Sequence, residues 1–263
     1  MRAAVEASGK AGDFLLSRWS RRASLRVRSK NREAVNYVTD VDRGSEARIV
    51  AHLRRRFPSD AILGEEGGER MKESGAPRRW IVDPLDGTTN YLHGFPFFAV
   101  SIALEVEGDL KVGVVLDPLR EELFTAVRGR GARLNGGRIR VSRRRGLRHA
   151  LVATGFPFKE FSRMDRYLGI FTRVSRATAG VRRPGVASLD LCYLACGRVD
   201  GFWEFGLAPW DVAAGGLLVE EAGGRVTDME GGGDFLKGDL VASNGRLHGA
   251  LMRIVKAGKR SSS

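Results

Sequence analysis

The chemistry-bearing residues of this chain are acids, and their placement carries more information than their number. Asp83 and Asp86 bracket a proline in IVDPLDGTTNYLHG (81–94), directly after an apolar run, with Gly87, Thr88 and Thr89 following at once. A turn needs one Asp, Pro or Gly. Two carboxylates and two hydroxyls in addition read as a holder for something charged. Asp40 and Asp42 in VTDVD, Glu65 and Glu66 in LGEEGG, and Asp211 in PWDVAAG also stand where hydrophobic segments begin or end. Such acids can be aimed at one cleft, but like charges converge only when neutralised. A hard divalent cation is the natural counter-charge, and oxygen-only donors favour magnesium, manganese or calcium over zinc. Pro84 fixes φ and turns the chain. Asp83 and Asp86 can then both face the cation with the Leu85 carbonyl between them, and Gly87 permits close backbone approach. If Thr88 and Thr89 open a helix, their free N–H groups point at an anion that the helix dipole favours. Cations beside an anion cradle describe a phosphoryl-transfer site. Any one of these pieces alone is an ordinary turn or solvated loop; four in this order are not.

The elements that must position these acids follow from apolar periodicity. A helix is expected over 1–28, then a loop at SKNREAVNY. A second helix begins with VTDVD and runs through SEARIVAHLRRRF, with Ile49, Val50 and Leu53 at helical spacing and Pro58 ending it. AILGEE and RRWIVDPLD read as strands that end in acids. Residues 97–129 read as a three-stranded meander broken at Glu-Gly-Asp and Asp-Pro. The stretch after Gly129 is basic and turn-like, and HALVATGFP opens a fresh strand. A subdomain boundary is therefore expected near residue 147, dividing the chain into 1–146, with most of the acids, and 147–263. The second part alternates: helix at FSRMDRYLGIFTRVS, helix at SLDLCYLACGRV, strand at DGFWEF, helix at WDVAAGGLLVEEAGG, strands at GRVTD and DLVASN, and a last helix at LHGALMRIVKAG. Such a mixture implies α and β layers packed on one another.

Composition agrees. With 263 residues and 43% apolar content, there is material for one large domain or two packed halves. The charged first residues lack a signal-peptide core, and no apolar run approaches a membrane span, so a soluble, cytoplasmic protein is expected. Cys192 and Cys196 lie four apart without a second Cys or His cluster, which reads as buried, reduced helix residues. The net charge is +13, and six arginines with no acid occupy 138–148. No aromatics interleave with them, so a solvated basic face is the first reading and nucleic-acid binding the second.

Taken together, DPLDGTTNYLHGFP and PWDVAAGGLLVEEAGG resemble the two signatures of the inositol monophosphatase family, and LGEEGG and NYVTDVD resemble its two upstream motifs. GVASLDLCYLACGRVDGFWEFGLAPWD is similar to bacterial members. The resemblance covers residues 3–257 and implies a layered αβαβα sandwich of two packed subdomains. It further implies a magnesium-dependent, lithium-sensitive phosphatase that is commonly a homodimer, with two or three Mg2+ per site and Mn2+ as a substitute. Glu65, Asp83, the Leu85 carbonyl, Asp86 and Asp211 fall on metal-ligand positions, Asp83 as the bridge. Thr88 and Asp42 fall on the pair that activates water, with Glu65 the third catalytic candidate. Gly87 and Thr88 offer amides to the phosphate. Asp86, Asp211, Gly185, Ala187 and Glu204 complete the substrate set, Glu204 facing a substrate hydroxyl. The implied substrate is a small phosphate ester, myo-inositol 1-phosphate first. Fructose bisphosphate, histidinol phosphate and nucleotide 3′-phosphates are alternatives, and a protein that binds RNA or transcription machinery is the reading from another class.

The sequence departs from the family's pattern at Asn36-Tyr37, where many members carry an acid, and in the short loop between Glu65 and Asp83. Lys30 is the candidate for a lysine common in the upstream loop. His93 reads as a backbone-bonded histidine rather than a catalytic acid. Trp80, Trp203 and Trp210 read as packing beside key acids. Arg182 and Arg183 read as a basic rim that steers phosphate esters, as dimer contacts or as a solvated loop.

Overall fold

The computed structural model describes residues 1–21, 27–29, 37–70, 77–158 and 160–257. In chain order the elements are α1 (Arg2–Trp19), β1 (Val27–Ser29), β2 (Tyr37–Thr39), α2 (Asp40–Arg56), β3 (Ala61–Gly64), β4 (Gly68–Arg70), β5 (Arg78–Asp86) and α3 (Thr88–His93). They continue with β6 (Ala99–Val106), β7 (Asp109–Asp117), β8 (Glu122–Val127), β9 (Gly131–Leu134), β10 (Gly137–Arg138), β11 (Leu151–Thr154), α4 (Met164–Ala177) and β12 (Gly180–Arg182). The last are α5 (Ala187–Ala195), β13 (Gly201–Glu204), α6 (Pro209–Glu221), β14 (Arg225–Asp228), β15 (Leu240–Ser243) and α7 (His248–Ala257). β1 and β2 form an antiparallel pair. A large sheet has the order β10-β9-β8-β7-β6-β5-β3-β4, antiparallel except for β3 beside β5. A smaller one has the order β12-β11-β13-β15-β14, parallel across its first three strands.

The layers follow from which helix covers which face. α1 and α2 pack on each other and on one face of the large sheet. α5 and α6 lie between the two sheets, and α4 and α7 cover the far face of the small one. This is the αβαβα order implied by the motifs. Both faces of the central strands are buried, so they read as unbroken apolar runs and the side chains still alternate. In β5, Trp80 and Val82 face the α1/α2 core while Ile81 faces α5 and α6. In β13, Phe202 points inward and Trp203 outward.

Several local expectations are revised. α1 stops at Trp19, and Val27–Ser29, where the expected helix gives way to the expected loop, pairs with Tyr37–Thr39 as strand. The second helix starts at Asp40, because Thr39 is extended and caps it: the Thr39 hydroxyl accepts from the Val41 and Asp42 N–H groups, and the Asp42 carboxylate accepts from the Thr39 N–H. Residues after Gly129 form β9 and β10, extending the large sheet rather than only turning. Cys192 on α5 and Cys196, which caps its C-terminus, are free thiols, the first buried, the second half-buried. Lys30 and Asn36 lie outside the described residues. No helix among the described residues is long and apolar enough to cross a membrane.

Candidate active site

β5 delivers two of the acids, and it does so by breaking its own regularity. In a regular strand residues three apart point to opposite faces. Here Asp83 pairs with Ser101 and Asp86 with Ala99, so three steps on β5 oppose two on β6. One extra residue makes a bulge, and Pro84, which has no N–H to give to a ladder, lies within it. The bulge turns both carboxylates the same way. The Leu85 N–H donates to Asp83 Oδ1 at 3.0 Å, and the Ser45 hydroxyl on α2 donates to the Pro84 carbonyl at 2.8 Å, bracing the bulge from behind.

Asp211 arrives from α6. It is the third residue of that helix, after Pro209 at the first turn, and it accepts the Ala208 N–H at 2.7 Å. Asp83, Asp86 and Asp211 each place an oxygen within 4.8 Å of the others. All three are buried, Asp83 to 1% exposure. Burial, reinforced by Glu65, Asp86 and Asp211, raises the Asp83 carboxyl well above the usual range. Burial and then Asp211 push Asp86 up to about 7, against the stabilising Ser188 N–H at 2.8 Å. Among the described residues no basic side chain pairs with Asp83 or Asp86. Three buried, mutually repelling carboxylates with hard oxygen donors fit a divalent cation.

Glu65 sits in the turn after β3, its N–H bonded to the Val82 carbonyl at 3.2 Å, and its charge acts on Asp83, Asp86 and Asp42. Buried Glu46 on α2 shapes that turn by accepting the Glu66 and Gly67 N–H groups at 2.8 and 3.3 Å. Among the described residues the close carboxylate cluster holds only Asp83, Asp86 and Asp211; of the other acids the sequence aimed at the cleft, Glu65 and Asp42 stand outside it, the Glu66 N–H is bound by Glu46, and Asp40 is exposed on the first turn of α2.

Thr88 opens α3, with its hydroxyl 2.8 Å from Asp42 Oδ1 and 3.2 Å from the Leu85 carbonyl. Asp42 Oδ2 accepts the Thr39 N–H at 2.8 Å and the Thr39 hydroxyl. Burial raises the Asp42 carboxyl above its ordinary value despite these donors. Gly87 is left-handed, with φ +96°, and a Cβ there would lie 2.7 Å from Val186 Cγ2, so both conformation and space demand glycine. The Asn90 side chain donates to the Phe97 and Pro184 carbonyls, both at 2.9 Å, tying α3 to the segment that carries Gly185 and Ala187.

Beside the acids opens a cavity of about 390 Å³. Asp86 and Asp211 form its acidic end, Gly185, Ala187 and Glu204 its side, and Phe156–Phe158, Arg183 and Phe205–Leu207 the remaining wall. Of the predicted substrate positions, Asp86, Gly185, Ala187, Glu204 and Asp211 line this cavity, and Gly87 and Thr88 are not among its lining residues. Glu204, at the end of β13, lies so close to Gly155 that a Cβ there would collide with its carboxylate. The Arg183 guanidinium lies over Phe156 and Phe158, 5.4 and 4.9 Å from the ring centroids; Arg182 is exposed. His93 is exposed at the end of α3 and makes no hydrogen bond among the described residues, so the backbone-bonded reading does not hold. Trp80 is buried and donates to Asp60 at 2.9 Å.

Sequence reasoning passed over Glu46, Ser188, Asn90 and Asp190. Glu46 stands one helical turn from Asp42, a spacing that could have marked it. Asp190 on α5 is 2% exposed, and its Oδ2 has no hydrogen-bond partner among the described residues. Burial, then Glu204 and Asp86, raise its carboxyl well above the usual range.

The family model described as the inositol monophosphatase family matches residues 1–260. The chain is 52% identical over 258 residues to the Nus factor SuhB of Pseudomonas aeruginosa, covering 96% of this chain and 94% of that protein. Among solved structures it is similar to the extragenic suppressor protein suhB of Bartonella henselae, at 45% identity and a TM-score of 0.94, covering 98% of each chain. It is also similar to the inositol monophosphatase of Anabaena (Nostoc) sp. PCC 7120, at 39% identity and a TM-score of 0.84, covering 98% of this chain and 95% of that one.

Proposed function

The chain belongs to the inositol monophosphatase family, and from that premise we propose that it is a magnesium-dependent phosphatase acting on a small polyol phosphate monoester, myo-inositol 1-phosphate first. The observation that carries this reading is the set of three buried carboxylates within 4.8 Å of one another, opening on the cavity walled by Glu204. Glu65, Asp83, the Leu85 carbonyl, Asp86 and Asp211 would hold two or three magnesium ions, and manganese suits the same oxygens. When bound, the ions would supply Lewis-acid stabilisation of the negative charge on the phosphoryl oxygens and on the leaving oxygen.

The side chains do the rest. The N–H groups of Gly87 and Thr88 would bind the phosphate oxygens. The Thr88 hydroxyl has one proton to donate, and Asp42 at 2.8 Å accepts it. Thr88 is then left as an acceptor that orients the attacking water. Asp42, its other oxygen held by the two Thr39 donors, would receive the proton that water gives up. Glu204, fixed flat against Gly155, would accept a hydroxyl proton of the alcohol portion, which Gly185 and Ala187 flank. We further take residues 1–146 and 147–263 as the two subdomains, the first supplying most acids and the second closing the pocket.

The test is phosphate release from myo-inositol 1-phosphate, fructose 1,6-bisphosphate, histidinol phosphate and 3′-phosphoadenosine 5′-phosphate, with magnesium, with chelator and with lithium. The expected result is magnesium-dependent, lithium-sensitive release led by the inositol ester. Absence of release from every ester by folded, magnesium-loaded protein would overturn the reading.

A second reading rests on a separate observation. The relative from Pseudomonas aeruginosa carries the name Nus factor, and Arg138 at the end of β10 and Arg140, Arg143, Arg144, Arg145 and Arg148 on the segment joining the two sheets are all exposed. These arginines would engage RNA or transcription machinery. RNA binding should then weaken steeply with salt and survive Asp83→Asn; binding indifferent to salt, or lost in that variant, argues against it.

A further inference from the structure

β13, which ends at Glu204, and α6, which carries Asp211 in its first turn, are joined by residues 205–208, and Phe205, Gly206 and Leu207 of this short loop line the cavity. It belongs to neither strand nor helix, so something outside it must fix its path. The Gly206 N–H donates to Asp239 Oδ1 at 2.9 Å, and the Leu207 N–H donates to the Gly238 carbonyl at 3.0 Å. Gly238 has φ +91° and approaches Leu207 so closely that a Cβ there would strike the Leu207 carbonyl oxygen.

Asp239 is in turn gripped by Arg163 through both guanidinium nitrogens, Nη1 to Oδ1 at 2.9 Å and Nη2 to Oδ2. Arg163 ends the 3₁₀ turn Phe161–Arg163, whose Arg163 N–H donates to the carbonyl of Glu160, a residue that lines the cavity with Phe156, Pro157 and Phe158. The same guanidinium stands 4.5 Å from the Phe205 ring centroid and reaches Glu160 at 3.4 Å. One planar, two-pronged cation therefore meets both walls at once: the wall on its own side through Glu160, which lines the cavity, and the 205–208 loop through Asp239 and Phe205. A bidentate guanidinium–carboxylate pair fixes orientation as well as distance, which a lysine could not do.

We infer that the Arg163–Asp239 pair is a positioning device that sets the spacing of the two cavity walls, and through it which phosphate esters fit, without itself touching ester or cation. The inference rests on the phosphatase reading for its functional consequence and on geometry alone for the clamp. The pair is partly exposed, with side chains 20% and 34% accessible, so its removal leaves the buried core intact.

The experiment uses full-length Arg163→Met, Asp239→Ala and Asp239→Asn, the last keeping an oxygen for the Gly206 N–H. Kinetics on myo-inositol 1-phosphate and fructose 1,6-bisphosphate are read beside amide hydrogen exchange of residues 205–208. In the first two variants the ratio of kcat/KM between the esters should fall about tenfold. That fall should come mainly through KM, with the magnesium requirement unchanged, and the 205–208 amides should exchange faster. Asp239→Asn keeps the oxygen shared by the Gly206 N–H and one guanidinium prong but loses the second prong, so its ratio should lie between those of Asp239→Ala and wild type. An equal loss on both esters, or an unchanged ratio, would overturn the specificity role. Unchanged exchange at 205–208 would overturn the clamp itself, whether or not any ester is turned over. If the wild type releases phosphate from nothing while the exchange result holds, it is the phosphatase reading that falls.

Discussion

Asp60, Asp117 and Asp200 lie buried away from the cleft, and each has an arginine at hand: Arg78 at 2.8 Å, Arg120 at 2.9 Å and Arg144 at 3.1 Å. Each also accepts N–H donors, from the Trp80 indole, from the Leu119 and Arg120 amides and from the Leu151 amide. Asp83 and Asp86 are buried to a similar degree, with one amide each and other carboxylates as their nearest charges. One chain, rich in arginine, thus solves the same problem in two ways. Where a carboxylate serves the fold, the protein brings its own cation. Where it serves the cleft, the protein withholds one, and the imbalance becomes affinity for a cation from solution.

The largest effect should come from neutralising the cleft. Asp83→Asn is expected to lower phosphate release at least a thousandfold while metal-free protein melts no lower than wild type, because one of several repelling charges is gone. Wild-type-like turnover would remove Asp83 from the metal site and collapse the contrast. Thr88→Ala comes next. It leaves the carboxylates alone and removes only the hydroxyl that links water to Asp42, so kcat should drop by a factor of roughly 10²–10³ with magnesium affinity unchanged. A variant that loses magnesium binding instead would make Thr88 a structural support of the bulge. On the other side of the comparison, Asp117→Asn should spare activity and cost about 2 kcal/mol of stability, since Arg120 loses its partner. A denaturant titration beside an activity assay separates the two outcomes, and lost activity with unchanged stability would erase the distinction drawn here.

The acids of the cleft were legible because they stand at the ends of long, strongly apolar segments. The DPLDGTT stretch was specific enough to bring the layer order with it. What stayed hidden was either short or non-local. β1, β2, β4 and β12 have three residues each, too few to display alternation, and β1 falls where the expected helix gives way to the expected loop. The composition of β9 and β10 points to turns because glycines and arginines outweigh their few apolar residues, yet pairing with β8 and with each other overrides that composition. The bulge that aligns Asp83 with Asp86 depends on the register against β6, which local pattern does not encode. Ser188 reaches Asp86 across 102 positions, and Arg163 reaches Asp239 across 76. Such partners are chosen by the fold, after the fold exists.

The smallest expected effect is the most direct measure of the missing counter-charge. Asp86 has a folded-state value of about 7 against an ordinary 3.8. A raised carboxyl binds its proton in the folded state where the unfolded chain has released it. Its contribution to stability is therefore fully present below the unfolded value and lost as pH rises through about 7. Chelator-treated protein should lose about 1 kcal/mol between pH 6 and pH 8, a fall of about 2–4 °C in melting temperature. Magnesium competes with that proton, so the melting shift it produces should be larger at pH 8 than at pH 6. Asp86→Asn should flatten both trends, whereas Asp117→Asn should leave them in place. If metal-free wild type melts at the same temperature across this range and magnesium adds the same increment throughout, the cleft carboxylates are neutralised within the protein after all. They would then belong with Asp60, Asp117 and Asp200.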